Sequence, residues 1–298
     1  MPDVVTTWRE RGETIKVDGY AIWFLDVAAA SEEADPLVVL HGFPSSSFDW
    51  RHVLDRLAER RRVVLFDQVG FGFSEKPNRR YSIELYADVA QGVIAHLGLE
   101  RIALASHDLG DTVGGELLAR ILDDELDLEV TGRLITNGSI YMDLVQLTPG
   151  QELLLSLPDA RWDTAALGAD FDPATAYGQG LAITFSEDHQ PDDEELVAQW
   201  DLAAHNDGYS LLPRTIRYIE DRRAREERYT GAIERHPSPL GILWGDQDPV
   251  ARYPMAQRLA ERAEGARLVT LEGIGHYPMI EAPDRFADAA VDLLDGSS

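Results

Sequence analysis

The sequence predicts an α/β fold: a mostly parallel central sheet, helices on both faces, and a helical segment inserted in the second half of the chain. Three observations predict it. Short apolar, β-branched runs alternate with helical patterns along most of the 298 residues. One long interval breaks that alternation and holds no convincing strand. Residues able to carry chemistry fall on loops that follow strands, where open parallel sheets place their sites.

In chain order, residues 14–17 and 20–26 read as an opening hairpin with Asp18-Gly19 as its turn. Apolar runs at 36–40, 62–66, 101–105, 132–136, 239–244 and 266–271 read as buried strands. Helical patterns fall at 49–60, 82–97, 111–122, 253–263 and 283–294. From about 141 to 235 only helix-like pieces are found, at 151–157, 193–204 and 210–228. The expected division is a core of 1–140 and 236–298 interrupted by a helical insertion of 141–235. The acidic run 187–195 and the mainly basic run 222–228 read as solvated faces.

Composition narrows the function classes. A formal net charge of −26 disfavours nucleic acid and anionic membrane as partners, because like charges repel. No apolar run is long enough to span a bilayer. The chain has no cysteine, which excludes disulfides, thiolate catalysis and cysteine-bound metals. The first ten residues are polar, so no signal peptide is expected, and the cytoplasm is the expected address. The eight histidines do not pair at metal-ligand spacing, Gly70-Phe71-Gly72 lacks the third glycine of a dinucleotide fingerprint, and no phosphate loop is found; no metal or cofactor is expected.

The chemistry centres on Ser106-His107-Asp108-Leu109-Gly110. A buried strand ends there and a helix follows, with small residues around Asp108, the setting of a nucleophile elbow. Capping of that helix is the ordinary reading of an aspartate at this position. Leu40-His41-Gly42-Phe43-Pro44 follows another strand, and a backbone N–H from this loop together with that of Leu109 would form an oxyanion hole. Pro44 admits a cis peptide bond. Asp248, with Asp246 as competitor, and His276 follow two later strands. The order nucleophile, acid, histidine is the chain order of an α/β-hydrolase triad.

On these segments, with Gly70-Phe71-Gly72-Phe73-Ser74 and Glu281-Ala282-Pro283, the chain resembles the α/β-hydrolase superfamily, in the branch of epoxide hydrolases and haloalkane dehalogenases. Within it the chain looks like the mesoderm-specific-transcript-like proteins, which share the Ser-His-Asp-x-Gly-Asp elbow and an Asn-Asp-Gly like that at 206–208. The resemblance implies that the insertion is a helical cap, that Asp108 is the nucleophile, and that His276 is the base with Asp248 as its partner. Some dehalogenases take the acid from just after the sixth strand, so Asp143 is an alternative.

An aspartate limits the reaction. Attacking an sp³ carbon, it forms an alkyl ester that water can still hydrolyse, whereas serine would form an ether, a dead end. A carboxylate is ionised at neutral pH and needs no base for its own attack, so His276 is expected to activate water in the second step, with the Phe43 and Leu109 N–H groups holding the oxyanion. Epoxide opening also needs an acid for the alkoxide. By resemblance that acid is Tyr218, and a second cap tyrosine is usual; no tyrosine is found near 180–185, leaving Tyr177 and Tyr209 as substitutes. Many haloalkane dehalogenases place donors where this chain has Phe43 and Leu109, and fluoroacetate-type enzymes place arginines after the nucleophile, where this chain has Leu109 and Thr112. The expected reaction is therefore hydrolysis of a small apolar epoxide, with alkyl-halide hydrolysis or non-catalytic ligand binding as alternatives. The remaining expected substrate-facing residues are His41, Pro44, His107 and Tyr141, and a monomer or homodimer is expected.

Overall fold

The computed structural model describes residues 2–31, 34–168 and 170–296. The chain opens with helix α1 (Asp3–Arg11), then strands β1 (Glu13–Val17), β2 (Tyr20–Val27) and β3 (Leu37–Leu40), helix α2 (Leu54–Leu57), β4 (Val63–Phe66), α3 (Ile83–His96), β5 (Arg101–His107), α4 (Leu109–Leu122) and β6 (Glu129–Thr136). Helices α5 (Pro149–Ser156), α6 (Pro173–Ala182), α7 (Asp193–Ala204), α8 (Leu212–Thr215) and α9 (Tyr218–Arg235) follow, without a strand among the described residues of that interval. The chain then returns to the sheet with β7 (Leu240–Gly245), α10 (Pro254–Arg262), β8 (Arg267–Leu271), α11 (Pro278–Glu281) and α12 (Pro283–Asp295).

The strands form one eight-stranded sheet in the order β1-β2-β4-β3-β5-β6-β7-β8. The pairings β1–β2 and β2–β4 are antiparallel; the others are parallel. The reason lies in the strands themselves. Leu37–Leu40 and Val63–Phe66 are buried at every position, which requires cover on both faces, as parallel crossovers provide. The opening hairpin turns at Asp18 (φ 50°) and Gly19 (φ 88°), the two positive φ values that match strand twist.

Three helices depart from the sequence pattern. Residues 49–60 do not form one helix: a 3₁₀ turn at Ser47–Trp50 precedes the short α2. Phe48, Asp49 and Trp50 are consecutive and all buried, which no single helix face can achieve. Residues 210–228 divide into α8 and α9, and α9 bends at Arg225. The polar N-terminus, for which no helical pattern is read, forms α1, whose Val5 and Trp8 lie three residues apart and are buried, Trp8 against Trp23 and Phe48. Among the described residues no helix is long and apolar enough to cross a membrane.

Candidate active site

Three strand ends meet at one point. Asp108 is the single residue between β5 and α4, and it is held at φ 51°, ψ −109°. Such a positive φ costs a side-chain-bearing residue about 1–3 kcal/mol. Two glycines make the turn sterically possible. A Cβ on Gly42 would lie 2.8 Å from the Asp108 Cβ, and one on Gly110 would lie 2.3 Å from the Leu40 carbonyl oxygen. The Gly42 loop and the start of α4 therefore close around the carboxylate as the small-residue pattern requires. The Phe43–Pro44 peptide is cis.

The Asp108 carboxylate is nearly enclosed, with 2% of the residue exposed. Its Oδ1 accepts the Phe43 N–H at 2.8 Å. Its Oδ2 lies 3.9 Å from His276 Nε2. Leu109 is the first residue of α4, so its N–H has no acceptor within the helix. His276 Nδ1 lies 2.7 Å from Asp248 Oδ2. Asp248 is fixed in turn by Asn137 Nδ2 at 2.8 Å and by the Val250 and Ala251 N–H groups at 2.7 and 2.9 Å.

Burial works against charge on His276, but the charge and hydrogen bond of Asp248 and the charge of Asp108 outweigh it and raise its pKa to about 9. Burial alone would raise Asp248; the His276 charge and the hydrogen bonds of His276, Asn137 and Val250 hold it below the ordinary carboxylate value. The competing carboxylates are committed elsewhere. Asp246 accepts the Gly273 N–H on an exposed turn. Asp143 sits at the surface in a two-pronged pair with Arg258, so it does not replace Asp248 as the partner of His276.

Tyr218 approaches Asp108 from α9. It is 1% exposed, its hydroxyl feels the Asp108 carboxylate, and its ring centroid is 5.7 Å from that of Phe43. Burial, then the Asp108 charge, push its pKa well above the ordinary phenol value, while Arg222 pulls it down.

A cavity of about 830 Å³, counted out through its mouth, ends against Phe43 and His276, the residues that flank Asp108. Pro44, Tyr177 and Tyr209 are among its lining residues. Tyr209 stacks on Trp162 at 5.8 Å. Three expected substrate contacts are corrected. His41 is fully buried and accepts the Gln68 N–H on Nε2 at 2.9 Å, so it ties two core loops together. His107 is also fully buried, and its Nε2 lies 2.8 Å from the His276 carbonyl oxygen. Burial and the His276 charge lower its pKa to about 4, leaving a neutral ring that donates to that carbonyl. Tyr141 faces away from the cavity: its hydroxyl donates to Glu234 at 2.7 Å, and Arg258 lies over its ring. His41, His107 Nε2 and the Tyr141 hydroxyl are each held by a group distant in sequence, which spacing along the chain does not reveal.

Three neighbours of the site escaped the sequence reading. Asn137, at φ 48° directly after β6, accepts the Gly245 N–H and donates to Asp248. An amide immediately following a buried strand was the available signal. Tyr277 adjoins His276, packs on Phe185 at 5.1 Å and lines the cavity. Arg222, 1% exposed, donates from Nε to Thr112 Oγ1 at 2.7 Å and from Nη2 to the Asp108 carbonyl oxygen at 3.3 Å. It had been assigned to a solvated face, because one buried position in an arginine-rich stretch leaves no mark. No group of three or more potential metal ligands occurs among the described residues.

Comparison with known proteins agrees with this architecture. Residues 37–289 match the profile of a family described as the alpha/beta hydrolase family. LipZ of Mycobacterium tuberculosis is 34% identical over 291 residues, covering 97% of this chain and 98% of LipZ. The mesoderm-specific transcript protein of Mus musculus is 30% identical over 302 residues, covering 97% of this chain and 87% of its own. Among solved structures, the epoxide hydrolase CorEH superposes with a TM-score of 0.73 at 20% identity, covering 96% of this chain and 99% of CorEH. At that identity the likeness is one of fold.

Proposed function

The chain belongs to the alpha/beta hydrolase family, and we propose that within it the protein opens an epoxide with water through an ester on Asp108. The observation that carries the proposal is an aspartate at the elbow with a phenol and an imidazole beside it: the buried Tyr218 hydroxyl feels the carboxylate, and His276 Nε2 lies 3.9 Å from its Oδ2. A carboxylate suits attack on saturated carbon, and a phenol suits the alkoxide that leaves.

Oδ1 is held by the Phe43 N–H, so Oδ2 is the attacking oxygen. Its bond to a ring carbon forms as the bond from that carbon to the ring oxygen breaks. The ring oxygen keeps the electron pair and takes the Tyr218 proton. In the second step His276 Nε2 takes a proton from water, whose oxygen adds to the ester carbonyl. Oδ1 becomes the oxyanion, held by the Phe43 and Leu109 N–H groups. Collapse releases the diol oxygen, which recovers the proton from His276, and the carboxylic acid on Asp108 returns its proton to the Tyr218 phenolate. Asp248 orients the imidazole and stabilises its charged form. Helices α5 to α9 serve as the cap, and the aromatic walls at Trp162, Tyr177 and Tyr209 favour an uncharged, apolar substituent.

Intact-mass analysis after rapid quenching with styrene oxide tests this. The peptide containing residue 108 should gain the mass of the epoxide in the parent and not in Asp108→Asn. Diol formation without any such adduct, release of bromide from 1-bromobutane without diol formation from epoxides, or saturable binding without turnover would each displace the proposal.

A further inference from the structure

The geometry points to Arg222 as a positioning residue for epoxide opening: it holds the Tyr218 phenol against Asp108, and its cation takes up the negative charge left on the phenol oxygen once the proton has gone to the ring oxygen. This rests on the reaction proposed above, and it assigns a task to a residue whose burial that reaction does not explain.

Arg222 lies one helical turn after Tyr218 on α9, so the two side chains share a face. Its guanidinium carbon stands 4.9 Å from the centroid of the Tyr218 ring. Its two hydrogen bonds run to the core, to Thr112 in the first turn of α4 and to the backbone oxygen of Asp108. Neither acceptor is a carboxylate, and among the described residues no salt bridge to Arg222 is formed. A buried cation without a direct ion-pair partner is expensive. The place is also adverse, because the N-terminus of α4 is the positive end of that helix.

The cation is explained by the charge that passes it. Before attack, the negative charge is on Asp108. Ester formation removes it there and leaves it on the Tyr218 oxygen after proton transfer. Both positions neighbour Arg222, so the guanidinium keeps a counter-charge through the step that needs one. Arg222 already opposes the burial and the Asp108 charge that make the phenol a weaker acid. Once Asp108 is esterified its contribution disappears, and that of Arg222 is left.

The test separates charge from scaffolding. Ester formation on Asp108 and its later hydrolysis are timed by rapid-quench mass spectrometry with styrene oxide, in the parent, R222M, R222K, T112V, Y218F and R222M/Y218F. R222M should form the ester at least about tenfold more slowly, with hydrolysis of the ester changed far less. R222K should recover part of the loss. T112V, which removes the hydrogen-bond acceptor and leaves the charge, should stay near the parent, and R222M should add nothing to Y218F. R222Q repeats the comparison if the methionine variant does not fold. Parent-like ester formation in the neutral variants overturns the inference. So does an equal loss in both steps, or a full further loss in the Y218F background. If the parent itself forms no ester, it is the epoxide reaction that falls, and the two failures are thereby told apart.

Discussion

At His276 burial and two carboxylates pull in opposite directions, and the carboxylates win, with a pKa of about 9. Because this folded value lies above the ordinary 6.5, the stabilisation it brings is complete below about pH 6.5 and lost as pH rises through about 9. The same shift bears on the reaction, since a protonated imidazole cannot take a proton from water. Asp108 supplies part of the shift, and its esterification removes that part. In the proposed ester the imidazole would therefore shed its proton at lower pH and so be free to accept one from water. In Asp108→Asn the His276 pKa should fall below its parent value, as followed by NMR titration with H276Q for assignment. An unchanged titration would show that Asp108 does not set the charge of His276.

Between elements, the loop after β3 is joined to α7 by a buried polar cluster. The Asp49 carboxylate accepts from Ser45 and from Gln199 Nε2, the latter at 2.8 Å, and Glu195 beside it pairs with Arg51. Burial first, with the Glu195 charge added, raises the Asp49 pKa to about 7 against the opposing hydrogen bonds and Arg51. A carboxyl raised in this way holds a proton in the folded state that the unfolded chain releases, so stability falls as pH climbs from about 4 to about 7. Asp49→Asn keeps the shape and has no proton to lose. At pH 8 it should be more stable than the parent by roughly 1–4 kcal/mol in urea denaturation, with the gap closing as pH falls toward 4. A destabilised variant at pH 8 would mean that the charged form of Asp49 is the one the cluster is built for.

For the whole molecule, the net charge of −26 is the dominant long-range term. Many arginine pairs at the surface, such as Arg56 with Asp288 and Arg267 with Asp292, are exposed and contribute little to stability. Salt weakens these pairs, but it also screens the repulsion of the acidic excess, and at about 0.1 M the screening length is already about 10 Å. The thermal midpoint should rise by several degrees between low salt and about 1 M sodium chloride. A falling midpoint in calorimetry would place the balance with the local pairs instead.

The chain by itself determined the sheet, the strand ends and the order of Asp108, Asp248 and His276, because these follow from local rules: apolar runs bounded by turns, small residues at a tight corner, and polar residues directly after buried strands. The hairpin turn between residues 17 and 20 and the end of α4 at Leu122 come from the same source, while α4 starts at Leu109, two residues before its helical pattern. The break of residues 49–60, the burial of Arg222, the choice of Asp248 over Asp143 and the inward turn of His41, His107 and Tyr141 were decided only by tertiary structure. Each depends on which distant group completes a hydrogen bond or fills a face, and partners far apart in sequence leave no periodic trace in either segment.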